Sequence, residues 1–137
     1  MATRNRSARQ RAGTVLIALG GLVLLTSAAA KFARVPQVAA ELGAFGFRGD
    51  KLALIAIVEV LSALLFLIPR TRSAGLLLVS AFLGGAVATH LQHDQSVLQP
   101  AVVLGVTWLG AWLRHPETLW SVSPLAHDTA ALTQEAV

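Results

Sequence analysis

Apolar residues along this chain fall into four long blocks separated by short polar stretches, and inside a block they do not keep to one face. A helix at the surface of a soluble protein keeps a polar face along its length. The pattern therefore predicts helices with lipid around them, each close to the roughly 20 residues that cross a bilayer. The spans run from Ala12 to Ala30, Leu52 to Ile68, Ala74 to Leu91 and Val97 to Leu113. Pro69 ends the second, because the residue before a proline is pushed out of helical geometry. Ser73 is placed to cap the third, and Ser96 or Gln99 the fourth. Pro100 then lies in a first turn, where its missing N–H matters least. The fold class expected is an all-α, four-helix transmembrane bundle.

Two segments lie outside the spans. The first loop, Phe32 to Asp50, contains Pro36, three glycines and the apolar residues Val38, Leu42, Phe45 and Phe47. It has the make-up of a short interfacial or re-entrant helix. Residues 1–11 form a basic N-terminus, 12–115 the membrane domain, and 116–137 a tail with Pro116 and Pro124, expected to be partly disordered after Trp120.

Composition sharpens this picture, since 55% of the 137 residues are hydrophobic and only 13% charged. Soluble domains carry about twice that charge. The formal net charge of +4 comes largely from Arg4, Arg6, Arg9 and Arg11 ahead of the first apolar block, which points to a membrane surface rather than to nucleic acid. Basic residues are retained in the cytoplasm. Those four arginines, with Arg70, Arg72 and Arg114, outnumber Lys31, Arg34, Arg48 and Lys51 on the opposite face, so both termini are expected inside and the first loop outside. The basic start, the run Val15 to Leu25 and the small residues Ser27 to Ala30 also match a signal peptide, but the segment is long enough to span and is read as retained. With no cysteine, the chain has no disulfide, thiolate ligand or thiol redox chemistry.

Polar residues inside the spans are the candidate site. Glu59 falls roughly 12 Å below the outer end of the second span. A carboxyl at that depth is expected to face the bundle interior, either protonated or paired with a donor. It is a candidate general acid/base or ligand-binding group, or an interhelical hydrogen-bond partner. Ser62 shares its face. His90 lies in the last turn of the third span, behind Gly84, Gly85, Ala86 and Ala88, which let a neighbouring helix approach. Glu59 and His90 are the candidate catalytic pair, expected to face one cavity in the outer half of the bundle without touching. Lys31, Ser62 and Gln99 are candidate ligand-binding residues. Lys31 is expected to snorkel to the interface, with an anion partner as its alternative role. Gln99 and Thr107 are polar positions of the fourth span suited to a cavity or to interhelical bonds, and Trp108 and Trp112 to packing and anchoring. His90, His93 and Asp94 form His-x-x-His-Asp, which has no third ligand and is not read as a metal site.

The segments SAAAKF (Ser27 to Phe32), LGAFGF (Leu42 to Phe47), VEVLSALLFLIPRTR (Val58 to Arg72), GGAVATHL (Gly84 to Leu91) and WLGAWLR (Trp108 to Arg114) resemble, in order, the DoxX-like family of small bacterial four-helix membrane proteins. The resemblance implies a multi-pass protein of the bacterial inner membrane. The family's name comes from a subunit of a thiosulfate:quinone oxidoreductase, which implies an accessory or quinone-interacting component of a membrane redox system. The partners implied are lipid, membrane oxidoreductase subunits or a second copy of the chain, and a lipophilic small molecule. Quinone is the cofactor this association suggests, although no cofactor motif is evident in the residues. The alternatives are a self-contained membrane enzyme using Glu59 and His90 for acid/base chemistry on a lipophile, and a transporter or channel component.

Overall fold

The computed structural model describes residues 2–116, with side chains from residue 7 onward, so the tail predicted to be disordered lies outside the described residues. What is described is helical throughout: α1 (Ala2–Phe32), α2 (Pro36–Ala44), α3 (Asp50–Leu67), α4 (Arg72–Gln92) and α5 (Leu98–Arg114). The four long helices alternate in direction and close into a ring, α1 against α3 and α5, and α4 against α3 and α5. The α2 helix sits in the connection between α1 and α3, where the sequence predicted a short helix.

Boundaries follow local chemistry, with three departures from expectation. First, α1 begins at Ala2 rather than Ala12, so the basic N-terminal segment continues the helix. Second, α4 starts at Arg72 behind Thr71, not at a Ser73 cap, and the Thr71 hydroxyl donates to Leu65 O at 2.9 Å. Third, Val97 is the N-cap of α5. Gln99 lies inside the first turn, and Ser96 Oγ accepts the Leu98 N–H at 3.3 Å. The end of α3 is as expected, with Ile68 extended at φ −74°, ψ 122° ahead of Pro69.

Among the described residues, two helices are long and apolar enough to cross a membrane, over Ser7–Phe32 and Arg72–Gln92. The expectation of four spans is thus met only in part on length and composition. The α3 helix has 18 residues and carries Asp50, Lys51 and Glu59, and α5 has 17 residues.

Inward positions recur at the spacing of packed helices. On α1 they are Gly13, Ile17, Gly20, Leu24, Ala28 and Lys31, and on α3 Leu52, Ala56, Glu59, Ala63 and Phe66. Steps of three and four keep such residues on one seam. Many of them are small or polar, while large apolar side chains of all four long helices point outward, among them Leu19, Leu61, Leu77 and Leu98. A water-soluble bundle has the opposite distribution. Polar groups also tie helices together, as where Trp108 Nε1 donates to Ser80 Oγ across α5 and α4 at 2.9 Å.

Candidate functional site

The end of the bundle that holds the α1–α3 connection contains a cavity of about 450 Å³. Its walls are mostly apolar, from Val23, Leu24, Ile55, Phe82, Leu83 and Val103 of the four long helices. The connection covers it with Val38 and Leu42 of α2 and with Phe45 and Phe47 beyond. The α2 helix starts on Pro36, whose ring suits a first turn. Gly46 and Gly49 take positive φ (84° and 58°), the backbone region that favours glycine, and let the chain turn back into α3.

A buried ion pair lines this cavity. Lys31 Nζ lies 2.7 Å from Glu59 Oε2 and also donates to Ser27 Oγ at 2.6 Å. Lys31 is 9% exposed and Glu59 2%. The structure corrects the snorkelling expectation for Lys31. Its ammonium turns inward, one helical turn from Ser27, because Glu59 offers at close range the opposite charge that the interface would have screened. Glu59 is buried as expected, and its donor is Lys31. No buried side-chain polar atom among the described residues lacks a partner. Glu59 and Lys31 both line the cavity.

His90 lines the same cavity, as does Gln99. The His90 ring donates from Nδ1 to Ala86 O at 2.8 Å, since a carbonyl only accepts. That fixes Nε2 as the nitrogen turned toward other groups, and it lies 3.9 Å from Glu41 Oε1 of α2. Phe45 meets the His90 ring at 5.2 Å and 61°, in an edge-on arrangement, and the His93 ring at 4.8 Å. Glu59 and His90 share the cavity and are not bonded to each other.

Other polar candidates lie elsewhere. Ser62 is buried but does not line the cavity, and its hydroxyl donates to Val58 O of its own helix at 2.7 Å. Thr107 is likewise off the cavity. It donates to Leu104 O at 2.8 Å, and its methyl packs over Gly20. His93 is exposed and donates to Thr89 O at 2.9 Å. No cluster of three His, Asp or Glu side chains among the described residues has the arrangement of a metal site. Sequence reasoning missed Ser27, Glu41 and Phe45. Ser27 was readable as an i, i+4 partner of Lys31. Glu41 and Phe45 reach the site through the fold of the first loop, which no local spacing reports.

Chemically, the site sets a fixed, mutually neutralised ammonium–carboxylate pair and an imidazole whose Nε2 faces Glu41 on one mostly apolar chamber. These features define a small helical bundle with an amphiphilic cavity at one end. Residues 15–112 match the model of the DoxX-like family, and the chain belongs to that family. No curated protein and no solved structure matches it.

Proposed function

We propose that this chain is a four-span inner-membrane protein that holds a lipophilic small molecule in the cavity, as an accessory or quinone-interacting component of a membrane redox system. The observation that carries the reading is the cavity itself: apolar walls for a lipophile, with the Lys31–Glu59 pair and His90 as polar groups to orient it. Volume agrees, since small-molecule sites run from about 300 to 1,000 Å³. The Lys31 ammonium has three N–H groups, two of them directed at Ser27 and Glu59, which leaves one for a carbonyl oxygen of a ligand. Membership in the DoxX-like family supports the redox setting.

Large apolar side chains facing outward on α3 and α5 as well as on α1 and α4 support four spans. A lone charge at the middle of α3 is tolerable in lipid because Lys31 pairs it. Orientation follows the basic residues. One end of the bundle has Arg9, Arg11, Arg70, Arg72 and Arg114 and no acid among the described residues, while the other mixes Arg34, Arg48 and Lys51 with Glu41, Asp50 and Asp94. The arginine-rich end is then cytoplasmic and the cavity faces outward. Single cysteines at Ser7 and Ala44 check this against a cysteine-free background. An impermeant maleimide is expected to label intact cells at position 44 and not at position 7, and the reverse pattern would invert the topology.

The functional reading is tested by mass spectrometry of the protein extracted in mild detergent. A quinone or other neutral lipophile retained by the parent, and depleted in the doubly apolar Lys31→Met/Glu59→Leu variant, is the result expected. Equal retention by both would remove the ion pair from the binding site. A second reading, an acid/base enzyme acting on a lipophile, is favoured by one observation: His90 has Nδ1 anchored on Ala86 O, which leaves Nε2, with Glu41 Oε1 3.9 Å away, as the nitrogen able to take a proton, the arrangement of a general base. Turnover of a lipophile by the purified chain, abolished by His90→Ala, would select it over the accessory role.

A further inference from the structure

The covered end of the cavity and its flank differ. Toward the bundle end, α2 and its loop line it with Val38, Leu42, Phe45 and Phe47. Phe45 also packs on His90 and His93 there, and Glu41 approaches His90. On the flank, Gly85 of α4 lines the cavity and is exposed. A Cβ built on Gly85 meets no atom within 4 Å, so no neighbouring side chain fills the space beside it. Val23 of α1 is another place where a lining residue is exposed, at 48%, but there an isopropyl group occupies the wall.

Depth decides what lies outside this window. Gly85 is seven residues before the end of α4 at Gln92, hence roughly 10 Å below it. In the four-span reading that depth belongs to acyl chains, not to headgroups or water. Size decides what fits inside. A cavity of about 450 Å³ is at the small end of ligand sites, so a ring-sized head fits and a chain of membrane length has to continue outside it. Charge decides which head. The ammonium of Lys31 is already neutralised by Glu59, so an ionic head would bring unbalanced charge into an apolar chamber.

We propose that Gly85 keeps open a lateral window through which the cavity's ligand enters from the membrane and leaves its chain projecting among the lipid tails. The ligand is accordingly a neutral, long-chain lipophile whose carbonyl or hydroxyl head meets Lys31 and Glu59. This rests on the ligand-site reading given above and adds the route and the place of the chain. Gly85 has no polar group to offer and acts by leaving space.

The experiment compares two neutral probes, a decyl-substituted benzoquinone and its methyl-substituted counterpart, for binding to the full chain in lipid nanodiscs. The parent is set beside Gly85→Phe and Gly84→Phe. Gly84 is also exposed with open space at its Cβ but does not line the cavity, so it controls for a bulky ring on α4. Dividing each variant's Kd by the parent's cancels partitioning into the bilayer. Gly85→Phe is expected to weaken the decyl probe by about tenfold or more, through loss of chain contacts, and to leave the methyl probe unchanged. Gly84→Phe is expected to change neither. If Gly85→Phe weakens both probes alike or neither, or if Gly84→Phe reproduces the loss, the window is wrong while the ligand site stands. If the parent binds neither probe, the ligand site falls and the window with it.

Discussion

Removing either member of the Lys31–Glu59 pair is expected to destabilise the protein by roughly 3–5 kcal/mol, because the remaining charge is then buried without a partner. Both groups are buried inside the bundle, and Nζ and Oε2 are 2.7 Å apart, so each is the other's counter-charge. Glu59→Leu and Lys31→Met are the direct tests, by denaturant titration in detergent or bicelles. The double variant Lys31→Met/Glu59→Leu is expected to lose less than either single one, since two apolar side chains fill the seam with no charge left over. Glu59→Lys sets two ammonium groups face to face and is expected to be the least stable of all. Had the carboxyl been protonated, the first of the two states the sequence allows, Glu59→Gln would be a mild change. With Lys31 as its partner, Glu59→Gln keeps an acceptor but strands the ammonium, so a measurable loss is expected. Additive effects in the double variant would show that the two residues act separately.

The four long helices were legible because hydrophobic blocks of bilayer length admit few other readings, and their ends moved by only a few residues except at α1. There the arginine-rich segment is polar, which argues against a span but not against a helix. The short α2 helix was legible from Pro36 and its apolar neighbours. The site was readable in part. A buried acid demands a partner, and Glu59 therefore announced an interaction. Which partner it takes depends on how α1 sits against α3, a matter of packing 28 residues away in the chain. Local spacing placed Lys31 at a helix end and suggested snorkelling, since that rule ignores what lies across the seam. Ser62 failed for a related reason. Sharing a helical face with Glu59 says nothing of where a hydroxyl points when its own helix offers the Val58 carbonyl at bonding distance. Glu41 and Phe45 are brought over His90 by the return of a loop, which leaves no periodic trace.

Gly75→Leu is expected to be the most disruptive single substitution outside the ion pair, enough to prevent accumulation of folded protein. A Cβ on Gly75 would overlap backbone atoms of Leu65 and Phe66, so the α4 helix crosses α3 with no room for a side chain. Backbone cannot swing aside as a flexible side chain can, and the crossing is fixed further by its neighbours. Thr71 donates to Leu65 O at 2.9 Å, and Arg72 donates from Nε to Phe66 O at 3.3 Å and from its terminal nitrogen to Leu67 O at 3.4 Å. These bonds satisfy carbonyls at the end of α3 that have no partner within the helix. Prising α4 away would break them and open the seam around Phe66 and Val79, both fully buried. Overpacking a well-filled core costs ~1–3 kcal/mol even where side chains can adjust. A clash with backbone exceeds that range, and Gly75→Ala alone is expected to reach it. Gly105 is the matching control, a helical glycine of α5 with no atom within 4 Å of its Cβ. Gly105→Leu is expected to be neutral or slightly stabilising, since glycine inside a helix costs roughly 1 kcal/mol relative to good helix formers. Yield of monodisperse protein and midpoint of unfolding, measured for the three variants together, decide the matter. Gly75→Leu folding as stably as Gly105→Leu would mean that α3 and α4 do not cross where Gly75 sits.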